Sequence, residues 1–281
     1  MEESRPSRTA EGAAIVRALH QTLDEPRVLD DPITAQLVGR KELERQKKLF
    51  RLLPFMAPLR ANFAMRNRYA EDCLAESLSS GVCQYVLLGA GLDTFGYRQP
   101  EWARSLRIFE VDHPATQHWK RTKLAAANVP IPANVSLVGV DFEKVSLREG
   151  LAAAGLDFTV PTFFASLGVT QYLTVAALDL SLKLVASLPR GSQIVFSFVV
   201  ASGALSPKER VFAGVFAAIA AANREPWLTR FVPEQLAAKL AGMGFSKVIH
   251  LSNEAAIDRY FQQRRDGLAP SQVEQMMRAI V

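Results

Sequence analysis

The chain has 281 residues, a formal net charge of +5 and an isoelectric point of about 9.3. Hydrophobic residues make up 49% and charged residues 22%, a balance that excludes a disordered chain and predicts a folded globular protein. The two cysteines, Cys73 and Cys83, are too few for a disulfide framework. The longest apolar runs fall far short of the roughly 20 residues that span a bilayer. We therefore expect a cytoplasmic protein without a membrane partner.

The excess of basic residues does not predict a nucleic-acid partner, because these residues are scattered along the chain. Their densest group, residues 40–51, is interleaved with Glu42 and Glu44. Such alternation is typical of a solvated helix face. A phosphate-binding face is the alternative interpretation of the same segment.

Residues 1–80 are predicted to form a helical cap. A first helix over residues 9–23 is ended by Pro26. The triplet Asp30-Asp31-Pro32 is typical of a second helix start, because proline fits the first turn and acidic residues suit the positive end of the helix dipole. A longer helix is predicted for residues 59–79. Together with residues 201–233, the cap is expected to cover the carboxyl edge of the sheet that follows.

Residues 81–281 are predicted to form an α/β domain, because short apolar runs alternate with helical segments. Strands are predicted at residues 83–88, 107–111, 136–140, 161–166, 193–199 and 247–251. The helices between them are predicted at residues 113–127, 147–154, 176–188 and 233–241, with an extra helix over 210–223 in an insertion around 201–232. This order predicts a doubly wound, mostly parallel sheet with right-handed crossovers.

The extra helix carries an apolar stripe at helical spacing, formed by Phe212, Val215, Phe216 and Ile219. We expect this stripe to face the core. A substrate-binding wall is the alternative.

The first predicted strand ends at Leu88 and continues into Gly89-Ala90-Gly91. In open α/β sheets, ligands bind outside the carboxyl ends of the strands, and glycines there let the backbone approach a ligand. An ordinary βα turn can also carry glycines, so the signal is weak by itself. A dinucleotide fingerprint needs a third glycine where this chain has Thr94. The turn therefore suits a cofactor whose charged groups are an amine and a carboxylate, rather than a pyrophosphate.

Acidic residues follow the second and third predicted strands. Glu110 and Asp112 lie on the same side of the second strand, about 20 residues after the glycines, where a carboxylate can accept hydrogen bonds from both ribose hydroxyls. Either could serve, and Asp112 is preferred because it lies nearer the strand end. Asp141 and Phe142 follow the third strand, where they could contact an adenine amino group and ring. The set predicts an adenosine-shaped site.

Four segments of the chain together resemble the leucine carboxyl methyltransferase family, in particular its bacterial branch of S-adenosyl-L-methionine-dependent methyltransferases. The resemblance covers about residues 4–260. It implies a class I methyltransferase (Rossmann-like) fold and S-adenosyl-L-methionine as the cofactor. The segments are Leu88-Gly89-Ala90-Gly91-Leu92-Asp93-Thr94, Glu110-Val111-Asp112-His113-Pro114, Val140-Asp141-Phe142 and Gly168-Val169-Thr170-Gln171-Tyr172-Leu173.

The resemblance also implies roles for single residues. Arg66 matches an arginine that pairs with the methionine carboxylate of the cofactor, and Arg17 aligns loosely with another basic position. Many relatives carry a glutamate near the cofactor amino group where this chain has Leu167. The cofactor-binding residues implied in this way are Arg66, Gly89, Gly91, Asp112, Asp141 and Phe142.

Methyl transfer depends mainly on holding a nucleophile against the methyl group. An ionised carboxylate needs no base, whereas a hydroxyl would benefit from one. We therefore expect O-methylation of a carboxylate or hydroxyl on a small molecule. No catalytic base is predicted, because structural roles are expected for both His113 and Tyr172, and no metal-ligand pattern occurs.

Two other functions stay open on the sequence alone. The first is a nicotinamide-dependent oxidoreductase on the same kind of fold, which Thr94 disfavours. The second is a non-catalytic methyltransferase-like protein. This function stays open because the chain has Leu167 where many relatives have a glutamate. The sequence predicts neither the identity of the acceptor nor the oligomeric state.

Overall fold

A sheet of seven strands forms the centre of the structure, a computed structural model that describes residues 7–141 and 144–281. The strands are β1 (Gln84–Leu88), β2 (Arg107–Asp112), β3 (Val135–Gly139), β4 (Thr162–Ser166), β5 (Gln193–Val199), β6 (Lys247–Leu251) and β7 (Glu274–Ile280). Their order across the sheet is β3-β2-β1-β4-β5-β7-β6. The first five pair in parallel, whereas β7 is antiparallel to β5 and β6. The predicted doubly wound, mostly parallel α/β fold is confirmed.

Ten α-helices occur in the described residues. Within that part of the chain, no helix combines the length and the apolar composition that a membrane span requires. The helices are α1 (Arg8–Leu23), α2 (Pro32–Val38), α3 (Arg40–Leu52), α4 (Ala57–Ser77), α5 (Pro114–Ala126), α6 (Leu147–Ala153), α7 (Val175–Ala186), α8 (Pro207–Ala222), α9 (Pro233–Gly242) and α10 (Asn253–Tyr260).

The two faces of the sheet belong to two separate apolar cores. Tyr85 of β1 lies in one core with Met65 of α4, and its neighbour Val86 lies in the other with Leu182 of α7. Because both faces are covered, every residue of β1, β4 and β5 is buried, as their continuous apolar sequences require. The boundary at residue 80 between a helical cap and an α/β domain stays a prediction. Helix α4, which precedes this boundary, shares an apolar core with the sheet.

The first helices begin where their capping residues predict. The Asp31 side chain accepts a hydrogen bond from the backbone N–H of Thr34, and Pro32 occupies the first turn of α2. The basic segment forms α3, where Arg45 pairs with Glu42 at 2.7 Å on an exposed surface. This exposed ion pair agrees with the prediction of a solvated, charged helix face for the segment.

No strand or helix was predicted for the part of the chain that forms α10 and β7. The strand β7 lies between β5 and β6 and carries two buried polar residues, Gln275 and Arg278. Arg278 donates to Gln193 at 2.9 Å and to Glu76 at 2.5 Å, so its charge is compensated by groups far away in the sequence. A strand with such polar interruptions lacks the apolar run by which the other strands were predicted.

The expectation that the α8 stripe faces the core holds for Phe212, which is partly buried and packs against the core, but not for Val215 and Ile219. Val215 and Ile219 are 45% and 49% exposed, while Ala213 and Ala220 form the buried face of the helix. The helix therefore packs through Phe212 and two small side chains, and it turns Val215 and Ile219 outward. The alternative, a wall of a substrate site, stays open because Phe212 and Val215 line a cavity beside α8.

Candidate functional site

The glycine turn after β1 adopts a backbone that favours glycine at two positions. Gly89 and Gly91 have φ values of +66° and +47°. A Cβ atom at position 89 would lie 2.5 Å from Cγ2 of Val169, and one at position 91 would lie 3.0 Å from Cβ of Ala10. The turn is therefore held closely between the segment after β4 and the start of α1, and larger residues would disrupt both contacts.

Asp112 joins the end of β2 to this turn. Its Oδ2 accepts a hydrogen bond of 2.7 Å from the backbone N–H of Gly91, and its Oδ1 accepts one of 2.7 Å from that of His113. Burial raises the pKa of the Asp112 carboxyl, and the Gly91 N–H acts in the opposite direction. Since an ionised carboxylate has about four acceptor positions, it keeps capacity for two ligand hydroxyls.

Glu110 and Asp112, which strand alternation places on the same side of β2, differ in burial and in partners. Glu110 is fully buried, with Nζ of Lys120 2.6 Å from its Oε2 and the Tyr97 hydroxyl donating to the same oxygen at 2.8 Å. Asp112 is only half-buried and lies at the strand end. Glu110 thus has internal partners, and Asp112 is the acid that can reach a ligand.

Asp141, one of the two predicted adenine contacts, lies at the same edge, after β3. Asp141 is half-buried, and Nζ of Lys144 lies 3.0 Å from its Oδ2. Phe142 falls outside the described residues. The adenine assignment of this pair stays a prediction.

Arg66 of α4 lies beside Gly168, in the segment after β4. Its guanidinium stacks 3.8 Å from the ring centroid of Phe63, and Nη1 donates to Oε1 of Glu274 at 2.9 Å. A Cβ at Gly168 would lie 2.5 Å from Nη1, so glycine is needed there for the arginine to pass. Next in the chain is Val169, the residue against which Gly89 packs, so these groups form one continuous surface.

Arg17 holds the turn itself. Its Nη2 donates to the carbonyl oxygen of Leu92 at 2.6 Å, and its Nε lies 3.4 Å from Oδ2 of Asp31. The side chain is buried between protein groups, which argues against the loose assignment of Arg17 as a cofactor contact. The expected role of the N-terminal helices, covering the carboxyl edge, agrees with this placement.

The insertion covers the same edge from the other side. The backbone N–H of Leu228 donates to the carbonyl of Gln171 at 2.6 Å, just after β4. Glu225 accepts hydrogen bonds from the hydroxyls of Ser7 and Thr9 at the start of α1. The cap and the insertion therefore meet above the sheet.

No catalytic base emerges from the histidine and tyrosine near the site. Nδ1 of His113 accepts the N–H of Ala115 at 3.2 Å and so caps α5, in line with the expected structural role. Burial raises the pKa of the Tyr172 hydroxyl, which makes its ionisation unfavourable near neutral pH.

Glu274 is a candidate site residue that sequence reasoning missed. It is the first residue of β7 and pairs in register with Val199, the last residue of β5. Its strand was not predicted, so no local signal placed it at the carboxyl edge. Leu167, where many relatives carry an acid, instead packs against an apolar core.

A cavity of about 660 Å³ lies beside the first turns of α8. Its walls come from residues 54–58 at the α3–α4 junction, the first turns of α8, and residues 267–271 before β7. Phe55, Phe212 and Val215 supply much of its apolar lining. Among the described residues, this is a concave surface of the size that small-molecule pockets have, roughly 300–1,000 Å³.

A family model described as "Leucine carboxyl methyltransferase" matches residues 10–186. A Bacillus subtilis (strain 168) protein, "Putative S-adenosyl-L-methionine-dependent methyltransferase YktD", is 33% identical in an alignment of 297 positions that covers 96% of this chain and 96% of that protein. A crystal structure of a "putative methyltransferase" from Thermobifida fusca YX has a TM-score of 0.58 at 19% identity, covering 99% of this chain and 96% of that one. At that identity the solved structure supports the fold alone. The family resemblance read from the sequence is confirmed, and the B. subtilis relative carries the predicted cofactor in its name.

Proposed function

The chain belongs to the leucine carboxyl methyltransferase family, and we propose that it transfers the methyl group of S-adenosyl-L-methionine to an oxygen of a small molecule. The acceptor oxygen belongs to a carboxylate or a hydroxyl. The observation that carries the proposal is the joining of Asp112 to the Gly91 turn at the end of β2, with Arg66 on the same surface.

The residues at this edge fit the cofactor on chemical grounds. Nε of Arg66 is buried and has no acceptor within the described part of the chain, so the guanidinium has donors left for a carboxylate. Asp112 can accept from the ribose hydroxyls, Gly89 and Gly91 give the turn its tight backbone at the strand end, and Asp141 and Phe142 would contact the adenine. When bound, the cofactor supplies an electrophilic methyl group. Positioning of the acceptor is the main contribution expected of the protein.

The same turn is poorly suited to a pyrophosphate. Thr94 occupies the third glycine position and is buried, with its hydroxyl accepting from Nε of Arg98 at 3.3 Å. The Asp93 carboxylate is also buried beside the turn, and Asp112 lies opposite. The Asp93 carboxylate at the turn would repel phosphate groups, and with Thr94 at the third glycine position it supports a methyltransferase over a nicotinamide-dependent oxidoreductase.

Ligand binding distinguishes these functions. At about 100 times its Kd, S-adenosylhomocysteine should add about 2.7 kcal/mol to the free energy of unfolding, which corresponds to a Tm increase of about 5–10 °C. NAD at the same concentration should leave the Tm unchanged. Differential scanning fluorimetry measures both shifts. Stabilisation by NAD alone would favour the oxidoreductase, and stabilisation by neither would favour the non-catalytic alternative.

The apolar cavity supports a small hydrophobic acceptor. Val215 and Phe55 are 45% and 56% exposed, so apolar surface is left uncovered in this cavity. Glu209 also lines the cavity, and burial raises the pKa of its carboxyl. A raised pKa is the direction that suits a general base for a hydroxyl acceptor.

Introducing a charge into the cavity should therefore weaken acceptor binding. With the hydrophobic dye 8-anilinonaphthalene-1-sulfonate as the probe, Val215→Asp should raise the Kd about tenfold, because an apolar contact worth at least 1.4 kcal/mol is lost. The matched control is Leu180→Asp on α7, a residue that is 70% exposed and does not line the cavity. Fluorescence titration measures both. Equal dye binding by the two variants would argue against this acceptor site.

A further inference from the structure

Arg66 and Glu274 place one positive and one negative side chain next to each other. These charges are complementary to the carboxylate and the ammonium group of an amino-acid zwitterion. The two side chains are 6% and 12% exposed, and Nη1 lies 2.9 Å from Oε1. We propose that Glu274 binds the amino group of S-adenosyl-L-methionine, and that it forms with Arg66 a receptor for the charged end of the cofactor. This inference rests on the proposed function.

The position of Glu274 follows from the sheet. As the partner of Val199 in the β5–β7 register, it lies at the carboxyl end of β5. Asn62 of α4 donates to its carbonyl oxygen at 3.0 Å, which fixes the start of β7 against the helix that carries Arg66. Gly168 packs on the Arg66 guanidinium, and Val169 packs on Gly89. Glu274 is thus linked to the glycine turn indirectly, through Arg66 and the segment Gly168-Val169.

Both members of the pair keep hydrogen-bonding capacity. A guanidinium has five N–H donors, and a carboxylate has about four acceptor positions. The pair uses one donor and one acceptor in its mutual bond, and Nε of Arg66 is buried without an acceptor in the residues described. A bound carboxylate can therefore take the remaining Arg66 donors while an ammonium group takes the remaining Glu274 oxygen.

The other acids near the turn have protein partners instead. Asp93 accepts from Asn67 at 2.8 Å and from the N–H of Phe95 at 2.8 Å. Glu110 is paired with Lys120. Leu167 brings no charge. Glu274 is the carboxylate in contact with Arg66, and it lies beyond the residues 10–186 that match the family model.

The experiment compares two ligands that differ in the charged end. S-Adenosylhomocysteine carries the amine and the carboxylate, whereas 5′-methylthioadenosine has neither. In isothermal titration calorimetry, Glu274→Gln should raise the Kd for S-adenosylhomocysteine about tenfold or more, because a charge-assisted hydrogen bond is lost. The Kd for 5′-methylthioadenosine should change less than about twofold.

Two further variants keep this comparison decisive. Glu76→Gln removes another glutamate paired with an arginine of β7, Arg278, and should leave both affinities unchanged. Glu274→Asp keeps the charge on a shorter side chain, and it should retain part of the selectivity for S-adenosylhomocysteine even if Glu274→Gln folds poorly.

Each other outcome has a definite meaning. An equal loss of affinity for both ligands would make Glu274 a structural residue and overturn the inference, as would unchanged binding of both. If the unaltered protein binds no S-adenosylhomocysteine, the proposed function fails and this inference with it. A Glu274 result that contradicts the inference leaves the proposed function intact as long as the unaltered protein binds.

Discussion

Replacing Asp112 with alanine should raise the Kd for S-adenosylhomocysteine by about 100-fold. In the proposed site this carboxylate accepts both ribose hydroxyls, and a hydrogen bond to a charged group contributes about 1.5–3 kcal/mol. A total loss of about 3 kcal/mol corresponds to roughly 100-fold in affinity. Isothermal titration calorimetry on the purified variant measures the change directly.

The control for this variant is Asp258→Ala, which removes an exposed carboxylate on α10 and should not alter the Kd. Asp112 also accepts the N–H groups of Gly91 and His113, so circular dichroism should establish that the alanine variant is folded. A folded Asp112→Ala protein with unaltered affinity would refute the ribose assignment.

The second large effect concerns stability. Lys120→Met should lower the free energy of unfolding by about 3–5 kcal/mol, because it leaves the buried Glu110 carboxylate without its cation. Urea denaturation followed by circular dichroism measures the change. Lys183→Met, which removes an exposed lysine on α7, should stay within about 0.5 kcal/mol of the unaltered protein.

The deficit of Lys120→Met should also depend on pH. Burial raises the pKa of the Glu110 carboxyl, and the Lys120 charge opposes that shift. Without the cation, the folded protein binds a proton at Glu110 more readily than the unfolded chain does, so its stability rises as the pH falls. The deficit should therefore be smaller at pH 5 than at pH 8. A pH-independent deficit would point to lost packing instead of an unpaired charge.

A double variant separates the charge from the packing. Glu110→Gln combined with Lys120→Met removes both charges and keeps a side chain that can accept from the Tyr97 hydroxyl. Replacing both partners of a buried ion pair costs far less than removing one. The double variant should recover most of the stability that Lys120→Met loses.

Much of the sheet and of the nucleotide-binding edge could be predicted from local sequence. The run that forms β1 is apolar and ends in glycine, and β2 ends in an acid about 20 residues later. These signals lie within one βαβ unit, so their spacing fixes their relative position. The left-handed φ values of Gly89 and Gly91 agree with the reason for expecting glycine there.

The choice between Glu110 and Asp112 could not be made from the local sequence. Strand alternation places both on the same side of β2, and nothing in the spacing separates them. The difference is made by Lys120 and Tyr97, which reach Glu110 but not Asp112. Burial and pairing are properties of the packed protein, so only the structure could distinguish the surroundings of the two acids.

By itself, the sequence determined the family, the order of the parallel strands along the chain and the glycine turn, because each depends on residues close together in the chain. Only the tertiary structure decided which side of α8 is exposed and which acid lies beside Arg66. Glu274 is 208 residues away from Arg66 in the sequence, and it reaches the site because β7 inserts antiparallel between β5 and β6. Such strand pairing depends on long-range contacts that no local pattern encodes. The glycine turn was thus predictable, whereas the acid beside Arg66 was not.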